Sequence, residues 1–555
     1  MAPKNIQPSL ETVQEILSGY QAAADNAPNI VPLCATISGA LLTPSAAYLK
    51  LSNGSQSELS FLFESVAAAQ TIGRHSFVGA NPRKLLKTGP GHGPEADPLP
   101  FLQAELAKSR EAVVPGLDLP PLTGGAIGYV GYDCVRYFEP RTARPMKDIL
   151  QVPESLFMLF DTIVAFDHAF STIKVITYIH LPTSFTDGAA LRKAYNAARK
   201  VLTSTISTLQ SPNIPLPPQQ PIPPHSDQST NISRPGFTSN IGPSGYKSHV
   251  RTLKQHIWKG DIFQTVPSHR LSRPTTLHPF NLYSHLRTLN PSPYLFYISC
   301  SDFHLVGASP ELLVKADENN RIITHPIAGT VPRGKTPQKD DQLAQELQQS
   351  EKDRAEHVML VDLARNDVNR VCDPWSTRVD RLMVVEKFSH VQHLVSQVSG
   401  LLRAGKTRFD AFRSIFPAGT VSGAPKVRAM ELIAELEGEK RGVYAGAVGY
   451  FGYGNVDADG TEREGAMDTC IALRTMMVKG GVAYLQAGGG IVFDSVEEDE
   501  WVETMNKLGS NIACVQSAEE MFRDGSEGGG QNGIAEEEDE RMAEGQENGT
   551  VEIAG

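Results

Sequence analysis

The chain has 555 residues, of which 40% are hydrophobic and 20% are charged, and its formal net charge is −11. This length allows two or more domains or one large core. No apolar run reaches the roughly 18 residues of a membrane helix, the N-terminus resembles neither a signal nor a transit peptide, and no basic stripe indicates nucleic-acid binding. We therefore expect a cytoplasmic protein that binds neither membranes nor nucleic acid.

Two segments of unusual composition divide the chain. Ser211–Pro224 has seven prolines in fourteen residues, which excludes a helix or an interior strand. Arg523–Gly555 carries ten acidic residues and two arginines, with few large apolar residues, and is expected to be disordered. The predicted parts are an N-terminal extension (1–24), an N-terminal domain (25–205), a Pro/Ser-rich linker (206–242), a C-terminal domain (243–516) and an acidic tail (522–555).

Strand-like and helical runs alternate along both parts. In the N-terminal part, the predicted strands are Tyr48–Ser52, Ser60–Phe63, Ile163–Phe166 and Ile173–Ile179, and the predicted helices are Pro100–Lys108 and Ala189–Thr208, with turns in the glycine-rich Thr123–Glu139. In the C-terminal part, the predicted strands are Leu295–Ser299, His304–Gly307, Arg321–His325, Arg381–Lys387 and Val482–Gln486, and the predicted helices are Tyr246–Lys259, Gln342–Val371, Ala424–Glu437 and Ser495–Glu520. This alternation predicts an α/β or α+β chain.

Two of the helical stretches carry acidic pairs. They lie in Glu351–Asp367 and Ser495–Lys507. Asp353 and Glu356 are three residues apart, as are Glu500 and Glu503, so each pair shares a helix face. Carboxylates brought together repel one another unless a hard cation with oxygen ligands lies among them, and Mg²⁺ is the usual one. The alternative is two solvated helix faces, which is the commoner role of an acidic run.

Glycine-rich loops follow two predicted strands. They are His325–Thr336 and Gln486–Ser495, and the second has three successive glycines before the second acidic helix. Backbone amides in such loops can approach an anion closely. The spacing is not that of a dinucleotide site, and the acidic helix would repel a pyrophosphate, so a small carboxylate fits better. The alternative is an ordinary loop.

Three side chains complete a candidate site. Arg474 could bind a second carboxylate by a two-point fork, or it could be a surface arginine. Glu311 follows a strand and a proline turn, where an acid can face a cleft, and His393 lies among apolar residues, where it could also be a core histidine. Together with the metal and the glycine amides, these residues suggest a small dianionic ligand, with Glu311 or His393 placed for proton transfer.

The C-terminal part contains a series of motifs in a fixed order: GDIFQTVPSHR, NPSPYLFY, GASPE, PIAGTVPRG, EHVMLVDLARND, VQHLVS, GTVSGAPKVRAMEL, YAGAVGYF, DTCIALR and QAGGGIVFDS. This order resembles that of the chorismate-utilising enzymes, and most closely the anthranilate synthase component I family. The resemblance implies an α+β fold with two packed β-sheet layers flanked by helices. It also implies that residues 243–516 form the chorismate-binding catalytic domain and residues 25–205 a regulatory, tryptophan-binding domain.

The resemblance also assigns roles to individual residues. It makes Glu356 and Glu503 ligands of Mg²⁺, with Asp353 and Glu500 in a second shell. It makes Glu311 the general acid for the departing hydroxyl, His393 an aid to pyruvate elimination, and Thr420 a residue at the ring end. The remaining substrate-binding residues that it implies are Gly329, Thr330, Tyr444, Arg474, Gly488, Gly489 and Gly490.

Two positions help to choose among members of the family. Relatives that add water use a lysine where this chain has Gln264, and aminodeoxychorismate-forming relatives carry a lysine where it has Ala328. Both absences favour ammonia as the nucleophile and anthranilate as the product. The nearest alternative is aminodeoxychorismate synthase component I. A catalytically silent regulatory subunit is a further alternative, and nucleotide binding is weaker still.

A partner and an inhibitor follow from the same resemblance. None of the six cysteines lies in a nucleophile turn, so ammonia is expected from a separate glutamine amidotransferase subunit. Feedback inhibition by L-tryptophan is expected at a site between the two parts. Its predicted residues are Glu64, Ser65, Asn290, Pro291, Tyr294, Leu295, Val448 and Tyr450, whose alternative role is core packing.

Overall fold

A computed structural model describes residues 6–20, 27–65, 73–182, 187–220, 222, 236–388 and 391–523. The acidic tail beyond Arg523, much of the Pro/Ser-rich linker and part of the N-terminal extension lie outside the described residues. The predicted disorder of the tail therefore concerns residues that the structure does not describe.

The described part of the chain forms 27 strands and 12 α-helices. The strands are β1 Ile6–Gln7, β2 Ile30–Ser38, β3 Leu59–Glu64, β4 His75–Ala80, β5 Lys84–Thr88, β6 Arg110–Ala112, β7 Gly125–Val130, β8 Ser155–Phe160, β9 Ile163–Asp167, β10 Thr172–His180, β11 Thr238–Ser239, β12 Gln264–Thr265, β13 Ser268–Pro274, β14 Tyr294–Cys300, β15 Phe303–Ser309, β16 Leu312–Ala316, β17 Arg321–Thr324, β18 Ile327–Pro332, β19 Arg378–Lys387, β20 Val391–Leu401, β21 Gly423–Ala424, β22 Ala447–Gly452, β23 Gly454–Val456, β24 Glu462–Arg463, β25 Met467–Ile471, β26 Thr475–Lys479 and β27 Val482–Gly488. The helices are α1 Leu10–Ser18, α2 Pro44–Leu51, α3 Pro98–Leu106, α4 Val135–Phe138, α5 Gly188–Leu209, α6 Gly242–Trp258, α7 Pro279–Leu289, α8 Pro337–Gln349, α9 Glu351–Asn369, α10 Arg408–Ile415, α11 Lys426–Glu437 and α12 Glu497–Arg523, with short 3₁₀ turns at Tyr132–Cys134, Pro140–Thr142 and Gly419–Val421.

Most strands belong to two large sheets. The first sheet has the order β11-β13-β27-β26-β15-β14-β3-β4-β9-β10-β2-β6-β23-β24, with β1 paired to β2. The second has the order β18-β20-β17-β16-β25-β22-β7-β8-β5, with β19 paired to β20. Each sheet takes strands from both sides of the Pro/Ser-rich segment, because β3 pairs with β14 and β7 pairs with β22. The N-terminal and C-terminal parts therefore share both sheets.

The two sheets lie face to face between layers of helices, because successive residues of a strand point to opposite faces. In β14, Phe296 and Ile298 enter the core between the sheets, whereas Leu295 and Tyr297 enter the core under α1, α5, α7 and α12. A third core lies between the second sheet and helices α3, α9, α10 and α11. This arrangement confirms the predicted α+β fold with two packed sheet layers flanked by helices.

Three local predictions were wrong or incomplete. Tyr48–Ser52 was predicted as a strand but ends a helix, which Thr43 caps and Pro44 begins. The single helix predicted over Gln342–Val371 is two helices, divided at Ser350, whose side chain caps the second. The segment predicted as turns around Thr123–Glu139 contains β7, in which all six residues are buried.

The six cysteines are buried and form no disulfide. Within the described residues, no helix is both long enough and apolar enough to cross a membrane.

Candidate active site

One end of the second sheet carries the first half of the site. A bulge interrupts the pairing of β18 with β20 between Ala328 and Thr330. Gly329 at this bulge has φ +65°, and a Cβ there would lie 2.9 Å from Leu347 Cδ1 and 3.2 Å from Asp353 Oδ1. The left-handed backbone favours glycine, and side chains of α8 and α9 approach it closely. The strand thereby brings Thr330 beside His393 and the acidic helix.

The acidic residues of α9 and α12 face the same cleft, as their spacing predicted. Burial raises the pKa of Glu356, and the negative charges of Glu503 and Asp353 raise it further. Burial likewise raises the pKa of Glu500, with the charge of Glu503 again adding to it. Because Glu356 on α9 responds to the charge of Glu503 on α12, the two acidic pairs form one electrostatic group.

Two polar side chains offset this concentration of charge. Gln264 Nε2 donates to Glu356 Oε1 at 2.7 Å. Lys507 Nζ lies 2.6 Å from Glu503 Oε1 and donates to the Gly488 carbonyl oxygen at 3.1 Å. Glu500 Oε1 accepts from Ser495, but its Oε2 is buried without a hydrogen-bond partner among the described residues. The free oxygen of Glu500 could therefore bind a cation or accept a hydrogen bond.

The carboxylate oxygens of the cleft fit a hard cation that takes its remaining ligands from water or substrate. Within the described part of the chain, no group of three or more His, Cys, Asp or Glu residues could hold a metal ion. Mg²⁺ commonly uses only one or two carboxylates and keeps several waters or substrate oxygens. The facing carboxylates and the unsatisfied Glu500 oxygen match that mode, whereas a protein-only metal cage is excluded for these residues.

Glu311 lies at the floor of the cleft as a buried carboxyl group. Thr420 Oγ1 donates to Glu311 Oε1 at 3.0 Å. Burial raises the pKa of Glu311 to about 8, although the hydrogen bonds from Thr420 and the Ile327 amide and the charge of Arg474 oppose the shift. Glu311 is therefore largely protonated near neutral pH, as a general acid must be.

His393 has the opposite protonation tendency. Burial lowers its pKa to about 4, and the positive charges of Arg474 and Lys507 add to the effect. Its Nδ1 lies 2.9 Å from the Gly329 carbonyl oxygen and 3.1 Å from Thr330 Oγ1. A carbonyl oxygen only accepts, so Nδ1 carries the proton and Nε2 keeps a free lone pair.

Arg474 lies among the other charged groups of the cleft. Burial lowers its pKa, and Tyr444, Glu503 and Glu311 are the groups whose charges oppose that shift. Its backbone has φ +49°, an uncommon conformation for arginine. No hydrogen bond or ion pair involves its side chain within the described residues, so the guanidinium remains available for a carboxylate.

The three-glycine loop is held by two tyrosines. The amide of Gly489 donates to Tyr246 Oη at 3.1 Å, and the amide of Gly488 donates to Tyr444 Oη. A Cβ at Gly490 would lie 2.6 Å from Gln264 Nε2, so a larger residue would displace the amide group that donates to Glu356. Because Tyr444 Oη accepts from the loop, its own O–H is directed elsewhere and can donate to a ligand. Two of the three predicted anion-binding amides are thus already engaged.

The sequence analysis did not assign site roles to Lys507 and Tyr246. Lys507 follows Glu503 by four residues, so helical spacing alone places both on one face. Tyr246 lies on α6, more than 200 residues before the loop that it contacts, and its ring packs on His269 and Trp501. No local pattern indicates that contact.

A separate cavity of about 410 Å³ lies between the two sheets. Of the predicted tryptophan-site residues, Glu64, Ser65, Tyr294, Leu295, Val448 and Tyr450 line it. Asn290 and Pro291 are not among its lining residues, because they lie in the turn between α7 and β14. Glu64 is buried and accepts hydrogen bonds from Tyr283, Arg287 and Ser45.

A buried acid, a neutral histidine, a buried arginine and facing carboxylates thus lie in one cleft. Residues 58–513 match the family model described as chorismate binding enzyme. Anthranilate synthase component 1 of Saccharomyces cerevisiae is 57% identical over 523 residues, covering 94% of this chain and 98% of the relative. The corresponding protein of Streptomyces coelicolor is 43% identical, covering 88% and 90%.

Solved structures agree with this assignment. Anthranilate synthase component I from Streptococcus pneumoniae TIGR4 is similar with a TM-score of 0.65 and 36% identity, covering 81% of this chain and 94% of that one. The menaquinone-specific isochorismate synthase of Escherichia coli shares the fold, with a TM-score of 0.65 at 18% identity over 91% and 99% of the two chains. The chain belongs to the chorismate binding enzyme family, in the branch of the anthranilate synthase component 1 proteins.

Proposed function

We propose that this enzyme converts chorismate and ammonia to anthranilate and pyruvate, the first committed step of tryptophan biosynthesis. The observation that carries the proposal is the contrasting protonation of two groups in one cleft. Near neutral pH, Glu311 holds a proton and His393 Nε2 holds a lone pair. The reaction needs both, because a hydroxyl group must leave before a ring proton is removed.

In the first half of the reaction, Glu311 donates its proton to the departing C4 hydroxyl as ammonia adds to the ring. The Thr420 hydroxyl and the Ile327 amide stabilise the carboxylate that remains. In the second half, His393 Nε2 accepts the ring proton as the enolpyruvyl group is eliminated. The Gly329 carbonyl oxygen holds the opposite nitrogen of the ring and stabilises the imidazolium that forms.

The charges of the cleft match those of a dicarboxylate substrate. Arg474 and the Tyr444 hydroxyl bind the enolpyruvyl carboxylate. The ring carboxylate lies toward the acidic helices, where Glu356 and Glu503 would hold Mg²⁺, with Asp353 and Glu500 behind them. When bound there, Mg²⁺ would neutralise the ring carboxylate and withdraw charge as the hydroxyl leaves. Lys507 currently neutralises Glu503, so ion binding must displace or share that contact.

Ammonia is the nucleophile in this proposal. Ala328 offers no amine at the bulge, and Gln264 is held by Glu356 and cannot act as a base toward water. All six cysteines are buried, so a separate glutamine amidotransferase subunit is the proposed ammonia source. Six unpaired thiols also suit a reducing compartment, which supports a cytoplasmic location.

L-tryptophan is the proposed inhibitor, and the inter-sheet cavity is its proposed site. The volume falls within the range of small-molecule sites, about 300–1,000 Å³. Aromatic side chains line it, including Phe63, Phe77 and Tyr294. Both signs of charge are present, with Glu64 and Asp468 opposed by Lys315 and Arg381, as a zwitterion requires.

The test is an assay of the purified chain with chorismate, Mg²⁺ and an ammonium salt at mildly alkaline pH, with and without EDTA. We expect equal amounts of anthranilate and pyruvate, and no turnover after chelation. Chorismate consumption without pyruvate would instead indicate aminodeoxychorismate synthesis. No turnover from folded protein would indicate a silent subunit or a need for the partner.

A further inference from the structure

The inter-sheet cavity and the catalytic cleft share one wall. Four residues of this wall line the cavity: Pro310, Ile327, Phe388 and Val395. All four belong to the second sheet or to the turns at its edge, on the side where β18 and β20 carry the catalytic groups. Single side chains therefore separate the two sites.

Two of the wall residues act on Glu311. Pro310 precedes it in the chain, so the position of the proline ring fixes the start of the Glu311 backbone. The amide of Ile327 is directed at the Glu311 carboxylate, while the Ile327 side chain lines the cavity. Movement of β18 at Ile327 would change the hydrogen bonding of the general acid.

The other two wall residues act on His393. The ring of Phe388 packs edge-on against the imidazole, with centroids 5.3 Å apart and planes at 67°. Val395 pairs with Ile327 across the sheet and lies two residues after His393, on the same face of β20. Phe388 is thus the side chain that contacts the catalytic histidine and also lines the cavity.

The backbone of Phe388 is fixed more firmly than its ring. Its N–H donates to the Val391 carbonyl oxygen at 2.8 Å, and its carbonyl oxygen accepts from Arg333 Nη1 at 2.5 Å. Arg333 is itself held by Asp340 through bonds of 2.8 and 3.0 Å. A ligand pressing on this residue from the cavity would therefore turn the ring rather than move the strand.

We propose that Phe388 is a positioning residue for His393, and that an aromatic amino acid in the inter-sheet cavity inhibits catalysis by displacing its ring. The inference rests on the proposed function, because it takes His393 as the base and L-tryptophan as the probe ligand. It adds the contact through which occupancy of one site changes the other.

The test compares Phe388→Leu with the matched variant Phe77→Leu, and with Phe388→Tyr as the conservative replacement. Phe77 lines the cavity from the first sheet and contacts Tyr450, away from both catalytic groups. For each full-length protein, calorimetry gives the Kd of L-tryptophan, and the ammonia-dependent assay gives kcat and KM without and with saturating L-tryptophan. Calorimetry measures the binding of L-tryptophan independently of its effect on the reaction rate.

In Phe388→Leu, we expect kcat to fall with little change in KM for chorismate, because the histidine is less well oriented. L-tryptophan should still bind, but its effect at saturation should fall at least about fivefold, the lower end of measured site–site couplings. Phe388→Tyr should restore both quantities. Phe77→Leu should weaken binding yet leave full inhibition at saturation.

Full inhibition of Phe388→Leu by saturating L-tryptophan would overturn the coupling, and so would unaltered kcat without ligand. Wild-type protein that forms anthranilate but binds no L-tryptophan would overturn it as well. Wild-type protein that forms no anthranilate would instead contradict the proposed function, so the two failures are distinguishable.

Discussion

The inter-sheet cavity and the acidic cleft share a wall of side chains but are built differently. The cavity is closed by the apolar faces of two sheets, and its charged side chains are paired, as in the contacts of Lys315 with Asp468 and of Arg381 with Glu386. In the cleft, burial and the charge of Glu503 raise the pKa values of Glu356 and Glu500, and one buried oxygen of Glu500 has no hydrogen-bond partner among the described residues.

This difference indicates how each site responds to its ligand. Apolar packing and ion pairs among the lining residues hold the cavity walls, so a ligand adds mainly apolar contact. The cleft is electrostatically incomplete, so its ligands supply the missing charge as well as contact. Substitutions should therefore separate the two sites, since changes in the cleft act on catalysis and changes in the cavity act on inhibition.

The largest effect is expected for Glu356→Gln. Removing this charge removes a proposed Mg²⁺ ligand, and the loss of several kcal/mol of charge stabilisation corresponds to a fall in kcat/KM on the order of 10³-fold. The anthranilate assay over a range of Mg²⁺ concentrations measures it, with calorimetry showing unchanged L-tryptophan binding. Glu351→Gln, exposed at the start of the same helix, is the control. Equal activity of both variants would exclude Glu356 as a ligand.

Glu311→Gln should lower kcat by about 10²- to 10⁴-fold, the usual contribution of a general acid. Since the pKa of Glu311 is about 8, the wild-type rate should fall as pH rises above that value and the donor proton is lost. Rates must be compared at constant free ammonia, because ammonium also deprotonates in this range. The variant should lack this alkaline decline, and a decline that persists would assign it to another group.

Ser65→Phe should leave kcat within about twofold of wild type and weaken inhibition by L-tryptophan at least about tenfold. The added ring fills part of the cavity, and Ser65 lies beyond the end of β3 in the first sheet, away from Glu311 and His393. Inhibition curves with the ammonia-dependent assay measure the effect. An unchanged curve would remove Ser65 from the proposed inhibitor site.

The smallest effect is expected from truncation after Arg523. Helix α12 ends there, and every proposed catalytic, metal and inhibitor residue precedes it. Ammonia-dependent activity and L-tryptophan inhibition should both stay within the error of the assays. A truncated protein that folds but loses either property would show that the acidic tail acts on that site.

Local patterns in the sequence predicted the acidic pairs well, because helical spacing determines which carboxylates share a face. The same helical spacing would have placed Lys507, four residues after Glu503, on the face of the acidic pair. The strand prediction for Tyr48–Ser52 failed because the apolar composition of this segment suits a strand, whereas the preceding Thr43 and Pro44 start a helix. Contacts such as Tyr246 with Gly489 or Phe388 with His393 depend on tertiary packing and leave no local signal.

The shared sheets also determine when the protein can fold during synthesis. Strands β7 and β8 belong to the first third of the chain, yet β22, which pairs with β7 toward the centre of the second sheet, begins at Ala447. In the first sheet, β6 likewise cannot complete its pairing until β23 has been synthesised. Non-local pairing of this kind slows folding and leaves early strand edges exposed. The emerging N-terminal half should therefore need a chaperone until the last fifth of the chain has left the ribosome.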